Sequence, residues 1–252
     1  MKKLQRKLQN ESTGYRAFSV VNVVFLTLVA VVTLAPFLYV LSISLTGQTS
    51  LARYGFTLLP REIDFSNYRY IFQYNGARLL RSYLNTIFIT SVGTLLNILV
   101  SAMLAFPLAK RSLPYRNVLV MMVFFTMIFN GGLIPTYLVV SRTGLLNSLW
   151  SMIVPGLVNV WNMLLMRNFF MAIPESLEES AQIDGASTMQ ILFSIILPLS
   201  LPSLLTIGLF YAVDHWNDWF SASIYISETA KQPLMLYLRE ILLSSKAAEE
   251  AT

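Results

Sequence analysis

An all-α, polytopic bundle of membrane-spanning helices is the fold class predicted here, and three observations predict it. Of the 252 residues, 55% are hydrophobic and only 12% are charged, about half the charged share of an ordinary soluble domain. Mean hydropathy is +0.60. The charges are also clustered, leaving charge-free runs at 17–52, 82–109, 117–141, 143–166 and 185–213. Each run exceeds the roughly 20 residues that a helix rising about 1.5 Å per residue needs to cross about 30 Å of hydrocarbon. Five spans follow, at about 17–41, 85–109, 117–140, 146–166 and 193–215.

The first span is preceded by a basic tail, 1–16, holding Lys2, Lys3, Arg6, Lys7 and Arg16. The apolar run after it is far longer than the roughly 7 to 15 residues of a signal-peptide core, and no clear A-x-A site follows, so it reads as an uncleaved anchor. The tail places the N-terminus on the cytoplasmic side. Five spans then leave 46–84 outside, 110–116 inside, 142–148 outside, 167–190 inside and the C-terminal tail outside. Lysine and arginine divide nine to nine between the two sides. Orientation therefore rests on the tail and on one short turn with Lys110, Arg111 and Arg116, the places where the positive-inside rule weighs most. The net charge of +5 is densest in the tail and forms no basic face, so nucleic acid is not expected as a partner. With no cysteine, disulfide frameworks and thiolate metal sites are excluded.

The segment 46–84 is mixed and aromatic, with Tyr54, Phe56, Phe65, Tyr68, Tyr70, Phe72 and Tyr74, and with Pro60 and Gly76 as breakers. An external cap of short interfacial helices is expected. Breaks are expected in every span: Pro36, Pro107, Asn130-Gly131-Gly132 with Pro135, Pro155-Gly156, and Pro198 with Pro202. Proline inside a helix removes a backbone hydrogen bond, and irregular backbone at membrane depth must be buried in protein or line a wet cavity. Ordinary kinks and a solute pathway are both open at any one site. The stretch 233–243 is too short to span.

The loop 167–190 carries the most information. Pro174 suits a first helical position, and Glu175, Glu178 and Glu179 put negative charge in the opening turns, where the helix dipole favours it. Gly185 can adopt the left-handed conformation that ends a helix. Ser187 with Gln190 makes a capping-box pattern for the next one. A helix of two to three turns, lying across the mouth of the bundle and suited to another protein's groove, is predicted.

Glu179-Ser180-Ala181, three residues, Gly185, nine residues, then Ile195-Ile196-Leu197-Pro198 resembles the E-A-A-x3-G-x9-I-x-L-P signature of ABC importer permeases. Ser180 stands where that family usually has alanine. Phe65-Ser66-Asn67-Tyr68, Asn85-Thr86, Asn130 through Tyr137, and His215-Trp216-Asn217-Asp218-Trp219 are similar to the maltose-type, MalG-like carbohydrate branch and within it to the LplC/YtcP-like group. The resemblance covers roughly 15–243 and implies a type I importer permease of six spans, against five read here. It implies that Pro174, Glu175, Leu177, Glu178, Glu179, Ser180, Ala181, Ile183, Asp184, Gly185 and Ala186 form a coupling loop docking on an ATPase, with Leu177, Ala181 and Ile183 as its apolar members. The implied partners are a second permease subunit, two ATPase subunits that hold ATP and magnesium, an extracytoplasmic solute-binding protein, an oligosaccharide and the lipid of the cytoplasmic membrane. No cofactor is implied for this chain.

Asn130, Tyr137, Asn159, Trp161, Asn162, Tyr211 and Asn217 are candidates for the solute pathway, because aromatic faces stack on sugar rings and amides bond their hydroxyls. Asp214, His215 and Asp218 admit three readings: a metal or proton-relay site of a membrane-embedded enzyme, part of the pathway, or interfacial anchoring beside Trp216 and Trp219. G-x-x-x-x-G-K-[ST], H-E-x-x-H and G-x-S-x-G are absent from the sequence, so the chain is expected to hydrolyse nothing itself. A peptide, polyamine or phosphate permease shares the loop signature.

Overall fold

The computed structural model describes residues 13–55, 60 and 62–250. The basic residues Lys2, Lys3, Arg6 and Lys7, and also Phe56 and Arg61, lie outside the described residues. Helix is the only regular secondary structure among those described. That is the expected answer to a solvent without hydrogen-bonding partners, since a helix satisfies its own backbone. The chain divides into two compact units, Met1–Gly76 and Ala77–Thr252.

In the first unit, α1 (Thr13–Ser44) runs unbroken for 32 residues with Pro36 inside it. The break expected at Pro36 is absent: one lost backbone bond does not stop a helix this long and this apolar. Two short helices follow, α2 (Gln48–Tyr54) and α3 (Ser66–Tyr70), with a π turn at Ile71–Asn75. The Asp64 amide donates to the Leu45 carbonyl (2.8 Å), Asn67 Nδ2 to the Thr46 carbonyl (3.2 Å), and the Ser44 and Tyr68 hydroxyls meet at 2.9 Å. Hydrogen bonds from the Ser66 amide and hydroxyl hold the Asp64 carboxyl below the usual carboxylate range. Short helices, as expected after residue 46, are thus present. Gly76 is no breaker, with helical dihedrals of φ −58° and ψ −41°.

The second unit is organised on α4 (Gly76–Ala109), 34 residues long, which starts earlier than the predicted 85 and keeps Pro107 within it. Ser82, Thr86, Gly93, Asn97, Ser101, Ala102 and Ala105 are buried on it. Small and polar residues of this kind let helices approach closely in lipid, where apolar side chains gain nothing from leaving solvent. Gly208 makes one such approach, because a Cβ there would lie 2.9 Å from Ile98 Cδ1.

The remaining elements are α5 (Arg116–Ile128), α6 (Leu133–Arg142), two 3-10 turns (Leu149–Met152 and Val154–Gly156), α7 (Val160–Met171) and α8 (Glu175–Ile183). After these come α9 (Thr188–Ile191), a π turn (Leu192–Ile196), α10 (Leu197–Leu199), α11 (Leu201–Asn217), α12 (Trp219–Tyr225) and α13 (Leu234–Glu250).

Two stretches, Ala17–Ser44 and Ser66–Ala109, are each long and apolar enough to cross a bilayer unaided. Three bent pairs satisfy the same test jointly, which brings the total to as many as five. Their bends are 106° between α5 and α6, 53° between the 3-10 turns and α7, and 85° between Thr188–Leu199 and α11. Breaks therefore occur in three of the five predicted spans. The third prediction, a single span over 117–140, becomes two helices meeting at more than a right angle. Gly132 at φ +88° makes that corner, and the Asn130 side chain accepts from its amide at 2.8 Å.

One core joins the end of α4 (Ala102, Ala105, Phe106) to α7 (Met163, Met166, Phe170), to Ile191, Leu192 and Ile196, and to Leu204, Ile207 and Tyr211 of α11. A second gathers Ile89, Met152, Ile153, Ala222, Ile226 and Leu236. The tail expected to be too short to span is α13, packed on the start of α4. There Arg78 Nη2 donates to Glu240 at 2.6 Å and to Gln232 Oε1 at 2.7 Å, and the Leu234 amide donates to Thr86 Oγ1 at 2.8 Å.

Candidate functional site

Two regions of the second unit carry the predicted residues. The first is α8, whose ends are both closed by local sequence. Pro174 occupies the N-cap position, and Glu175 and Glu178 fall in the first turn, where negative charge suits the exposed amides. At the other end Gly185 adopts φ +83°. Its amide donates to the Gln182 carbonyl (3.0 Å) and the Ala186 amide to the Ala181 carbonyl (2.9 Å), the pair of bonds that defines a Schellman ending. A side chain at 185 would be strained by that dihedral. Ser187 then starts α9 with a complete capping box: its Oγ accepts from the Gln190 amide and its own amide donates to Gln190 Oε1.

The helix so bounded is fastened to the turn between α4 and α5. Lys110 Nζ lies 3.1 Å from Glu178 Oε2, with both side chains about four-fifths buried, and 4.3 Å from the centre of the Phe106 ring. Arg111 pairs with Glu175 at 3.5 Å in full view of solvent. Arg116 Nε (3.0 Å) and Arg167 Nε (2.8 Å) donate to one oxygen, the Leu108 carbonyl at the end of α4. A helix end leaves carbonyls without partners, and guanidinium groups are well matched to them.

This geometry corrects two expectations. Ala181 is 8% exposed and belongs to the chain's own core, so it is unavailable to a partner. Glu178 is occupied by Lys110. Leu177, Glu179, Ser180, Ile183 and Asp184 remain exposed, Ile183 at 87%, and Ser180 Oγ donates to the Ser176 carbonyl. The basic turn 110–115 and the loop 167–190, expected on one side of the membrane, come together. So do the regions expected on the other side, through Asn147 Nδ2 to Glu228 Oε1 at 2.7 Å and Lys231 Nζ to the Asn147 carbonyl at 2.9 Å. Hydrogen bonds from Lys231 and Asn147 hold the Glu228 carboxyl below its usual range.

The second region is a cavity of about 470 Å³ lined by α4, both 3-10 turns, the N-cap of α7 and the end of α11 with Asp218 after it. Of the predicted pathway residues it brings together Asn159, Tyr211 and Asn217, and beside them Asp214, His215 and Asp218. The Tyr211 hydroxyl meets Ser101 Oγ at 2.8 Å and accepts from the Asn159 amide at 3.4 Å. Asn162 is buried, its amide capped by Asn159 Oδ1. Asn130, Tyr137 and Trp161 are not part of this cavity's lining. Asn130 shapes the corner before α6, Tyr137 stacks on Tyr225 with ring centres 6.4 Å apart, and Trp161 is 60% exposed.

Asn97 and Gly93, absent from the predicted set, hold the cavity wall. Asn97 Nδ2 donates to the Gly156 carbonyl (2.7 Å) and the Leu157 carbonyl (3.1 Å), and Asn97 Oδ1 meets His215 Nε2 at 2.8 Å. A Cβ on Gly93 would lie 2.5 Å from His215 Nε2. The one amide in the middle of the predicted span 85–109 was the available signal for Asn97, since a polar side chain at membrane depth needs partners. The metal reading of Asp214, His215 and Asp218 finds no geometric support. Among the described residues no three His, Cys, Asp or Glu side chains are placed to hold an ion. His215 is engaged by Asn97, and Asp218 caps α12 by accepting from the Ser221 amide at 3.0 Å.

Comparison with known proteins agrees with the loop signature. Residues 90–248 match the family described as "Binding-protein-dependent transport system inner membrane component". Protein LplC of Bacillus subtilis is 42% identical over 238 residues, 94% of this chain and 80% of that protein. From the same organism, the polygalacturonan/rhamnogalacturonan transport system permease protein YtcP is 40% identical over 93% of this chain and 81% of its own length. A crystal structure of a bacterial ABC transporter involved in the import of the acidic polysaccharide alginate superimposes with a TM-score of 0.84 at 35% identity, over 91% of this chain and 81% of that one. The chain belongs to the family of inner-membrane components of binding-protein-dependent transport systems.

Proposed function

We propose that this chain is one of two permease subunits enclosing the translocation path of an ATP-driven carbohydrate importer, and that α8 is the surface on which an ATPase subunit docks. The observation that carries the reading is α8 itself. It is a helix of nine residues, bounded by Pro174 at its start and Gly185 at its end, braced from behind by Lys110 and Arg111, and showing Leu177, Glu179 and Ile183 outward. Docking puts this face on the cytoplasmic side, in keeping with the cluster of Lys110, Arg111, Arg116 and Arg167 beside it. Two copies of the ATPase bind and hydrolyse ATP with magnesium, and an extracytoplasmic binding protein delivers the solute. The carbohydrate assignment draws on the polysaccharide cargoes named for YtcP and for the alginate importer, together with the amide and phenol lining of the cavity. ATP-driven closure shifts the permease pair between inward-facing and outward-facing states to the extent that the ATPase contacts the two states differently.

The test is co-purification of tagged chain with a maltose-type ATPase and partner permease, beside Glu179→Arg and Gly185→Asp. The ATPase is expected to elute with the wild type and to be lost from both variants. Equal recovery with all three removes α8 as the docking site.

A further inference from the structure

The turn after α4 and the outer face of α5 hold two adjoining hollows. One, of about 360 Å³, is lined by Arg111, Leu113, Tyr115, Arg116, Asn117 and Val118. The other, of about 530 Å³, is lined by Asn117, Val118, Met121, Met122 and Phe125. Asn117 and Val118 belong to both, so a cationic basin opens directly onto an apolar groove. No residue of α5 is buried, and the four apolar residues of the groove are each more than half exposed. The unbranched thioethers of Met121 and Met122 adapt to an irregular apolar occupant. Arg116 and Phe125 stand nine residues apart, about 14 Å of helix. That is just under half of the roughly 30 Å of hydrocarbon, so basin and groove together match the depth of one leaflet.

The cations of the basin lack firm partners within the chain. Among the described residues no carboxylate pairs with Arg116. Its Nε and Nη2 donate to the Leu108 carbonyl and to Met171 Sδ, which leaves Nη1 to donate elsewhere. Arg167 reaches the same carbonyl and likewise has no carboxylate beside it. Arg111 meets Glu175 only at 3.5 Å and in solvent. Tyr115, 82% exposed, is held at φ +56°, a dihedral that bulky residues rarely adopt.

We propose that basin and groove form a binding site for one anionic phospholipid, with its phosphate on Arg116 and Arg111 and one acyl chain along Val118, Met121, Met122 and Phe125. The Tyr115 hydroxyl and the Asn117 amide supply further donors. Guanidinium groups bind phosphate through charge-assisted, often bidentate hydrogen bonds, and basic pockets at the membrane edge select anionic head groups. A free phosphate would occupy the basin and leave the groove bare, whereas an amphiphile with an anionic head fills both. The site requires α5 to lie in the bilayer and is independent of the solute and of the ATPase contact of α8.

The test is native mass spectrometry of the assembled importer in detergent, titrated with dioleoyl phosphatidylglycerol or dioleoyl phosphatidylcholine. Wild type is expected to hold one phosphatidylglycerol at least about tenfold more tightly than phosphatidylcholine. Arg111→Gln, which leaves the Leu108 clamp intact, is expected to weaken that step about fivefold. Val118→Trp, which fills the junction of the hollows and keeps both guanidiniums, is expected to remove it. Excess inorganic phosphate should leave the bound lipid in place. Equal retention of the two lipids by wild type overturns the inference, as does either variant matching wild type. No tight step at all means that the partner permease covers the groove or that no site exists, and displacement by inorganic phosphate means that the basin takes a free anion; each sinks the proposal.

Discussion

The α8 loop and the Asn97 cavity do their work with opposite materials. The loop is built of caps drawn from neighbouring positions, Gly185 ending one helix and Ser187 starting the next, and of charges, Glu175 and Glu178, facing Lys110 and Arg111 of the turn after α4. The cavity wall is built of amides, an imidazole and backbone carbonyls from four separate stretches, and one residue, Asn97, holds three of them together. A loop braced by two ion pairs tolerates loss of one. A wall hung on one side chain does not.

The largest effect is therefore expected at Asn97→Leu. The change leaves the Gly156 and Leu157 carbonyls and the His215 N–H without this partner, at about 1–3 kcal/mol for each group that stays dry. Thermal unfolding of the detergent-solubilised chain should show the lowest midpoint of the variants considered, and a midpoint within error of wild type breaks the contrast. Lys110→Gln comes next, at roughly 1–2 kcal/mol, because Glu178, about four-fifths buried, is left without its partner. Uptake should fall, and Lys110→Glu combined with Glu178→Lys should recover most of it. Failure of the reversed pair to recover more than either single change would show that the ion pair does not fasten α8. Arg111→Gln should be smallest, within about 0.5 kcal/mol, since its pair with Glu175 is solvated on both sides. A loss comparable to that of Lys110→Gln would remove the distinction between the two braces.

This contrast also explains what was legible in the sequence. The loop could be read because each of its devices is local: a proline before acidic residues, a glycine in place, a serine three residues before a glutamine. Apolar runs gave the spans for the same reason. Proline, in contrast, was overread. Pro36 and Pro107 sit inside continuous helices, and the corner that does form, at Gly132, depends on a positive φ and a capping asparagine. The cavity was half visible. Asn159, Tyr211 and Asn217 were named with no means of knowing that they meet, whereas Asn97 and His215 lie 118 positions apart. Ala181 was misplaced because a helix with one charged face also has a back, and only packing shows which alanine is on it.

The Leu108 carbonyl gives a mechanical consequence. Arg116 at the head of α5 and Arg167 near the foot of α7 both grip this single oxygen at the end of α4. Three helices therefore share one pivot, and none can splay there without releasing a charge-assisted bond. Any swing that carries solute across has to be taken up elsewhere. The elbow after Ile128, bent by 106° at a glycine pair, lies outside this clamp: among the described residues no guanidinium hydrogen-bonds to it.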